Sequence, residues 1–227
     1  MLYWGDMSFI LLIPAMIFAI YAQGKVKTTF DRYLRVRNSR GYTGMQVARR
    51  ILDSQGLYDV PIELTGGHLS DHYDPRKKVL RLSNAVYNGS SVASVGVAAH
   101  EVGHAIQHAK GYAPLMIRNF IAPIASFGSQ AAWFLFVIGL MFPATGMMDI
   151  GILFFLVAVL FQIITLPVEF NASNRAIGLL ENQGLLSSGE LVPTKKVLQA
   201  AALTYVAATV VALSQLLRLL MIRGRRD

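Results

Sequence analysis

One short pattern in the sequence has a specific chemistry: His100, Glu101 and His104, arranged as His-Glu-x-x-His. In a helix, residues four positions apart lie on one face, so both imidazoles can reach a single metal ion. Zinc binds histidine nitrogens at about 2.0–2.1 Å, and the glutamate beside the pair can take a proton from a metal-bound water. The pattern therefore predicts a Zn²⁺ site with Glu101 as the general base of peptide hydrolysis.

The alternative to a metal site is a surface helix with two hydrogen-bonded histidines and a solvated glutamate. The preceding residues argue against it, because Val92–Ala99 is too apolar for a free-standing surface helix. A buried His-Glu-x-x-His helix without a partner carries a large desolvation cost, which a bound cation removes. The residues around the motif are small, which lets the helix pack closely against its neighbours: Ala98, Ala99, Gly103 and Ala105.

A catalytic zinc usually has three protein ligands and one open position, so a third ligand is needed. His108 is nearest, but three imidazoles at successive i+4 positions of a straight helix are nearly collinear and cannot surround a metal. Glu169 is the better candidate, because a carboxylate so close to an apolar segment is costly unless it is paired or metal-bound. An ion pair between Glu169 and Arg175 is the alternative interpretation.

Two other side chains are candidates for stabilising the oxyanion of the reaction, Tyr205 and Arg175. Interfacial anchoring of Tyr205 and orientation of Glu169 by Arg175 are the alternatives. For the substrate, the alternating residues Val79–Ser83 are a candidate exposed sheet edge to which a peptide can add as a strand. A plain core hairpin is an equally good interpretation of these residues.

The composition indicates a membrane protein. Of the 227 residues, 54% are hydrophobic and only 15% are charged, and a soluble domain of this size cannot bury so much apolar surface. The absence of cysteine excludes disulfides, Cys-ligated zinc and thiol catalysis. Four segments are long and apolar enough to predict transmembrane helices: Met7–Ala22, Phe120–Phe142, Ile150–Leu166 and Leu198–Ile222. Tyr3, Trp4 and Tyr21 flank the first of these segments. A cleaved signal peptide is the alternative interpretation of this segment, but no positively charged region precedes it.

The charge distribution predicts the orientation of these spans. The formal net charge is +8, and 14 of the 21 Lys and Arg residues lie between Gly24 and Arg118. The positive-inside rule places that block in the cytoplasm, together with the polar block two spans later. With four spans, the basic tail of Arg223, Arg225 and Arg226 then lies outside, against the rule. Either the tail is tolerated there, or one weak span lies in the membrane interface instead of crossing.

Basic residues interleaved with apolar ones follow the first span: Lys25, Lys27, Arg32, Arg35 and Arg37. This pattern predicts a helix on an anionic lipid surface. No nucleic-acid-binding motif accompanies the charge, so a nucleic-acid partner is not expected.

The water-facing block has the pattern of a small α+β unit. Thr43 and Gln46 form a capping-box signature before a helix that Gly56 is expected to end. Residues 60–64 and 79–82 alternate as strands. A second helix is predicted from Ser90 or Ser91 through His108, with Gly111 as its stop.

Four segments resemble the YugP-like neutral zinc metallopeptidase family of bacterial membrane proteins. They are DHYDPRKKVLRLS, the helix HEVGHAIQH, LPVEFNASNRA two spans later, and AALTYVAA in the last span. The resemblance covers essentially the whole chain and implies a membrane-embedded peptidase with zinc on His100, His104 and Glu169 and with Glu101 as base. The layout is similar to that of the HtpX membrane proteases, but their aspartate four residues after the glutamate is absent, since position 173 is Ser.

Together these features predict a mainly α, polytopic helical membrane protein with about four transmembrane helices and a small cytoplasmic α+β zincin-like insertion. The expected divisions are an N-terminal transmembrane helix (1–23), a cytoplasmic basic and α+β region with the motif helix (24–118), two transmembrane helices (119–167), a cytoplasmic segment with the third zinc ligand (168–197), and a final transmembrane helix with a basic tail (198–227).

The expected function is zinc-dependent endopeptidase activity on a peptide or membrane-protein substrate, at the cytoplasmic face of the cell membrane. Two alternatives come from other classes: a membrane scaffold or adaptor with a structural zinc site, and a lipid-surface organiser without metal. A protein partner or an oligomer is left open by the sequence.

Overall fold

A computed structural model describes residues 7–142 and 146–224 of the chain. These residues contain seven α-helices and three short strands. The helices are α1 (Leu12–Tyr33), α2 (Gly44–Ser54), α3 (Asn84–Tyr87), α4 (Val92–Ala109), α5 (Ala113–Met141), α6 (Met147–Asn182) and α7 (Ser188–Gly224). The strands are β1 (Ile62–Thr65), β2 (His72–Asp74) and β3 (Val79–Ser83). The protein is therefore mainly α, as predicted. Tyr3, Trp4, Arg225 and Arg226 lie outside the described residues.

Four helices are long and apolar enough to cross a membrane: Ser8–Tyr33, Ala113–Met141, Met147–Asn182 and Ser188–Gly224. The four predicted spans are thus confirmed, but each helix is longer than the apolar segment that predicted it. At 1.5 Å per residue, the 36 residues of α6 extend over about 54 Å, against a hydrocarbon core of about 30 Å. A helix of this length exceeds what a perpendicular crossing of the hydrocarbon core requires.

Part of the basic segment after the first span is helical and belongs to the same helix as the span. Lys25, Lys27 and Arg32 belong to α1, which continues without a break from the apolar residues, and Arg35 and Arg37 follow its end. The contact of this segment with an anionic lipid surface stays a prediction.

The chain divides into two compact units. The first comprises the described residues of Met1–Gln23, Met116–Pro167 and Thr204–Asp227. Within it, helices α5, α6 and α7 meet in an apolar cluster of Phe136, Met148, Ile152 and Leu219. Arg223 Nε donates to Asp149 Oδ1 at 2.8 Å, which ties the end of α7 to the beginning of α6. This ion pair offsets the charge of one of the tail arginines.

The second unit, Gly24–Leu115 and Val168–Leu203, contains the sheet and the motif helix. The strand order is β1-β3-β2, with β1 parallel and β2 antiparallel to β3. Because β3 is paired on both sides, the prediction that Val79–Ser83 forms an exposed edge is wrong. The edges are β1 and β2, and β2 was missed because three polar and aromatic residues, His72–Asp74, show no alternation from which a strand can be read.

Local sequence explains where the helices of this unit begin and end. Thr43 Oγ1 accepts from Gln46 N at 3.2 Å, and Gln46 Oε1 accepts from Thr43 N at 3.0 Å, which is the predicted capping box. The Ser91 side chain caps α4 by accepting from Ser94 N at 2.9 Å. After α4, Gly111 has a φ of 61°, a left-handed conformation that glycine adopts without strain.

Candidate metal centre and active site

Three potential metal ligands converge in the second unit. His100 and His104 lie on α4, and Glu169 lies on α6. The Nε2 atoms of the two histidines are 3.2 Å apart, and Glu169 Oε2 lies 3.3 Å from His100 Nε2 and 3.5 Å from His104 Nε2. Ligands about 2.05 Å from a tetrahedral zinc are separated by about 3.3 Å from each other. The three atoms therefore have the spacing of three corners of a zinc tetrahedron.

Close packing of α4 against α6 brings the carboxylate to the histidines. A Cβ at Gly103 would lie 2.8 Å from the carbonyl oxygen of Ala172 and 3.2 Å from its Cα, so only glycine permits this approach. Ala172 and Val168, one turn apart on α6, are fully buried beside it. The small residue inside the motif thus sets the distance between the two ligand-bearing helices.

A buried glutamine fixes the tautomer of His104. Gln107 Nε2 donates to the carbonyl oxygen of Val168 at 2.9 Å and to Asn171 Oδ1 at 3.0 Å, which determines the orientation of its amide. Its Oε1 is then the acceptor that faces His104 Nδ1 at 3.0 Å. His104 accordingly carries its proton on Nδ1 and presents the lone pair of Nε2 to the site.

The other histidine has an equivalent neighbour. Ser173 Oγ lies 3.1 Å from His100 Nδ1 and can accept its proton, which leaves Nε2 as a lone pair as well. Two imidazole lone pairs and a carboxylate oxygen then point at one position, and a cation there removes their mutual repulsion. The donor set, two imidazoles and one carboxylate, is that of a catalytic zinc site.

Glu101 projects from α4 beside the histidine pair and is almost fully buried. The backbone N–H of Tyr73, in β2, donates to Glu101 Oε2 at 3.1 Å. Burial raises the pKa of Glu101 above its ordinary value; the two histidines of the motif oppose the rise, and Glu169 adds to it. A raised pKa suits a carboxylate that must accept a proton near neutral pH.

Residues 8–224 match a protein family described as "Putative neutral zinc metallopeptidase". The chain belongs to this metallopeptidase family. A relative from Bacillus subtilis (strain 168), described as "Putative membrane protease YugP", is 49% identical over 217 residues, which are 95% of this chain and 96% of the relative. No solved structure matches the chain. The family description implies zinc, and His100, His104 and Glu169 form the group able to hold it.

Arg175 does not form the ion pair with Glu169 that was the alternative interpretation. Its Nε donates to Asn171 Oδ1 at 2.7 Å rather than to Glu169. The same oxygen accepts from Gln107, so Arg175 is joined to His104 through Asn171 and Gln107. Arg175 is therefore a positioning residue for a candidate ligand, and its oxyanion role stays a prediction. Tyr205 lies on α7 in the first compact unit, and its oxyanion role also stays a prediction.

His108, the ligand candidate that helix geometry disfavoured, belongs to a different contact. Its Nδ1 lies 2.9 Å from the hydroxyl of Tyr73, in β2. This contact between the Tyr73 hydroxyl and the His108 imidazole joins the C-terminal part of α4 to the edge strand. Tyr73 also contacts Glu101 through its backbone N–H. Tyr73 thus holds β2 against the motif helix at two points.

Three polar residues of the site were not predicted: Gln107, Asn171 and Ser173. Gln107 follows His104 by three positions, a spacing that places both on one helix face and could have indicated their contact. Asn171 and Ser173 lie in LPVEFNASNRA, the segment that the resemblance singled out for Glu169 alone.

Proposed function

We propose that the protein is a membrane-embedded, zinc-dependent endopeptidase that holds zinc through His100, His104 and Glu169 and uses Glu101 as general base. The observation that carries this proposal is the tetrahedral spacing of three donor atoms next to Glu101. Membership in the zinc metallopeptidase family supports it.

A zinc ion in this site would polarise the scissile carbonyl and lower the pKa of a coordinated water. Glu101 accepts the proton of the attacking water and transfers it to the nitrogen of the leaving amine. Tyr73 N–H engages Oε2 of Glu101, so the proton transfer is assigned to Oε1.

The proposed substrate is a peptide or a membrane protein that pairs with β2 in an extended conformation. Strand β2 is a sheet edge, and the backbone N–H of Tyr73 in this strand donates to Glu101, so this edge lies next to the general base. A peptide that adds to this edge by backbone hydrogen bonds runs beside the general base. This edge replaces the one predicted at Val79–Ser83.

The proposed location of the site is the cytoplasmic surface of the cell membrane. Glu169 lies 22 residues after Met147, or about 33 Å along α6, which is just beyond a hydrocarbon core of about 30 Å. The basic residues concentrated between Gly24 and Arg118 support the cytoplasmic side. The proposed partners are substrate and an anionic lipid surface, without nucleic acid.

Two substitutions separate the base from the ligands. Glu101→Gln keeps the shape of the side chain but cannot accept a proton, so zinc should stay at wild-type stoichiometry while cleavage falls by about 100-fold or more. Glu169→Ala removes a ligand, so bound zinc itself should be lost. The measurements are metal content of the purified chain and cleavage of a quenched fluorescent peptide library.

Glu181→Ala is the matched control, because Glu181 lies on the same helix as Glu169 but is exposed. It should retain both zinc and cleavage. Full cleavage by Glu101→Gln would exclude Glu101 as the base. Zinc with four protein ligands and no cleavage in the wild type would favour the structural-zinc scaffold instead.

A further inference from the structure

A groove of about 600 Å³ lies in the second compact unit, and none of the candidate zinc ligands lines it. It is formed by the C-terminal part of α1 and the N-terminal part of α7. Its polar lining is rich in cations and neutral donors: Lys25, Thr28, Arg32, Tyr33, Lys196 and Gln199. None of these residues belongs to the proposed catalytic site.

Helical spacing brings these side chains together. Lys25, Thr28 and Arg32 follow one another at i, i+3 and i+7, so they share one face of α1. Lys196 and Gln199 are likewise three apart on α7, and Leu203 continues the same face. Two faces with the same periodicity therefore form the two walls of the groove.

The charge of the groove calls for an anion. Its described lining contains three cations and no acidic residue. Within the described part of the chain, Lys25, Arg32 and Lys196 form no ion pair, and Arg32 only stacks against the ring of its neighbour Tyr33. Three exposed like charges around one groove repel each other, and a phosphate that accepts hydrogen bonds from them relieves this repulsion.

The position of the groove along the helices indicates the source of the phosphate. In α1 the apolar span leads directly into Lys25, and in α7 the residues after Gln199 begin the last apolar span. Ala200 and Leu203 add an apolar surface to the lining. The α7 wall changes from cationic at Lys196 to apolar at Leu203, and a ligand with a phosphate at one end and acyl chains at the other matches this change.

We propose that this groove binds the phosphate headgroup of an anionic phospholipid. Lys25, Arg32 and Lys196 donate charge-assisted hydrogen bonds to the phosphate oxygens, and Gln199 and the hydroxyl residues contact the headgroup. The acyl chains lie along Leu203. The site differs from a diffuse attraction of basic residues to the bilayer, because particular cations are required and neighbouring ones are not. It does not depend on the proposed peptidase activity.

Native mass spectrometry of the detergent-purified full chain tests the proposal with phosphatidylglycerol as the probe. The triple substitution Lys25→Gln, Arg32→Gln and Lys196→Gln should weaken phosphatidylglycerol binding by about tenfold or more. The reason is that the loss of even one charge-assisted hydrogen bond lowers affinity by about tenfold. The control triple is Lys27→Gln, Arg35→Gln and Lys195→Gln, which are exposed cations outside the groove. Both triples remove three charges from +8, and the control should change binding by less than about twofold.

Equal weakening in the two triples would overturn the proposal, because total charge would then account for the binding. Phosphatidylcholine binding as tightly as phosphatidylglycerol would also overturn it. If inorganic phosphate displaces the lipid at equal concentration, the ligand of the groove is a free anion and the lipid proposal is overturned. Melting temperature and elution volume show whether the variants are folded. If the groove triple is misfolded, the single substitutions Lys196→Gln and Lys195→Gln repeat the comparison with one charge removed in each. Equal phosphatidylglycerol binding by these two variants contradicts the site.

Discussion

At the candidate zinc site, each histidine is oriented by one polar neighbour. Gln107 faces His104 Nδ1 and Ser173 faces His100 Nδ1. These neighbours determine which nitrogen of each ring carries the proton, and therefore whether Nε2 is available to a metal. Gln107 has the stricter role, because its amide is fixed by Val168 and Asn171, whereas a serine hydroxyl rotates.

We predict that Gln107→Leu weakens zinc binding by about 10–100-fold, the usual effect of removing a hydrogen-bond partner of a ligating histidine. The substitution keeps the volume of the side chain but removes the acceptor for His104 Nδ1–H. Competition with a chelator measures the affinity. Gln183→Leu, which replaces a glutamine just after α6 whose Nε2 donates to Ser54 Oγ at the end of α2, should leave zinc affinity unchanged. Equal affinities for the two variants would contradict the assigned tautomer.

The sequence could predict the ligands but not the residues that orient them. His100 and His104 follow from a spacing rule, and Glu169 follows from the cost of a carboxylate beside an apolar segment. The i+3 spacing puts Gln107 on the helix face of His104, but the partners that fix the orientation of its amide lie 61 and 64 positions away on another helix. Which polar residue faces a ring nitrogen depends on how the helices pack, and the sequence pattern alone does not contain that information.

At the scale of elements, the approach of α4 to α6 determines whether the ligands meet. Gly103 lies between the two motif histidines, directly before His104, and its missing side chain lets Ala172 come close. Glu169 is one turn before Ala172 on the same helix, so a change in this approach moves the carboxylate relative to both histidines.

We predict that Gly103→Ala lowers zinc affinity and cleavage together. The new Cβ would meet the carbonyl oxygen of Ala172 at 2.8 Å, so the helices must separate, at a cost of about 1–3 kcal/mol. Gly178→Ala is the control on α6, because nothing lies within 4 Å of its Cβ position. It should keep zinc and raise stability by up to about 1 kcal/mol through helix propensity. Wild-type zinc affinity in Gly103→Ala would show that zinc binding does not depend on the close packing of α4 against α6.

Elements with a local signal were predicted well, and those without one were not. The cap at Thr43, the start of a helix at Ser90 or Ser91 and the glycine stop at Gly111 depend on neighbouring residues, and they are confirmed. Strand β2 depends on pairing with β3 and on the contacts of Tyr73 with α4, which involve distant residues. Its omission is also why β3 was given the wrong position in the sheet.

At the scale of the whole molecule, hydropathy predicted the number of spans but not the length of the helices. An apolar segment shows where the hydrocarbon is, whereas a helix continues as long as its residues permit. The extensions of α6 and α7 beyond their apolar segments contribute Glu169 and the groove residue Lys196 to the second compact unit. The side of the membrane on which this unit lies is still a prediction from charge.

The cysteine-free sequence allows a direct test of this orientation. We predict that Lys77→Cys, at an exposed position of the sheet region, reacts with a membrane-impermeant maleimide only after the cells are permeabilised. Gly224→Cys, at the end of α7 with nothing near its Cβ, should react in intact cells, because an even number of spans puts the tail outside. The unsubstituted chain provides the background. Labelling of Lys77→Cys in intact cells would place the zinc site outside and reverse the topology, whereas protection of both positions would leave one of the four helices not crossing the bilayer.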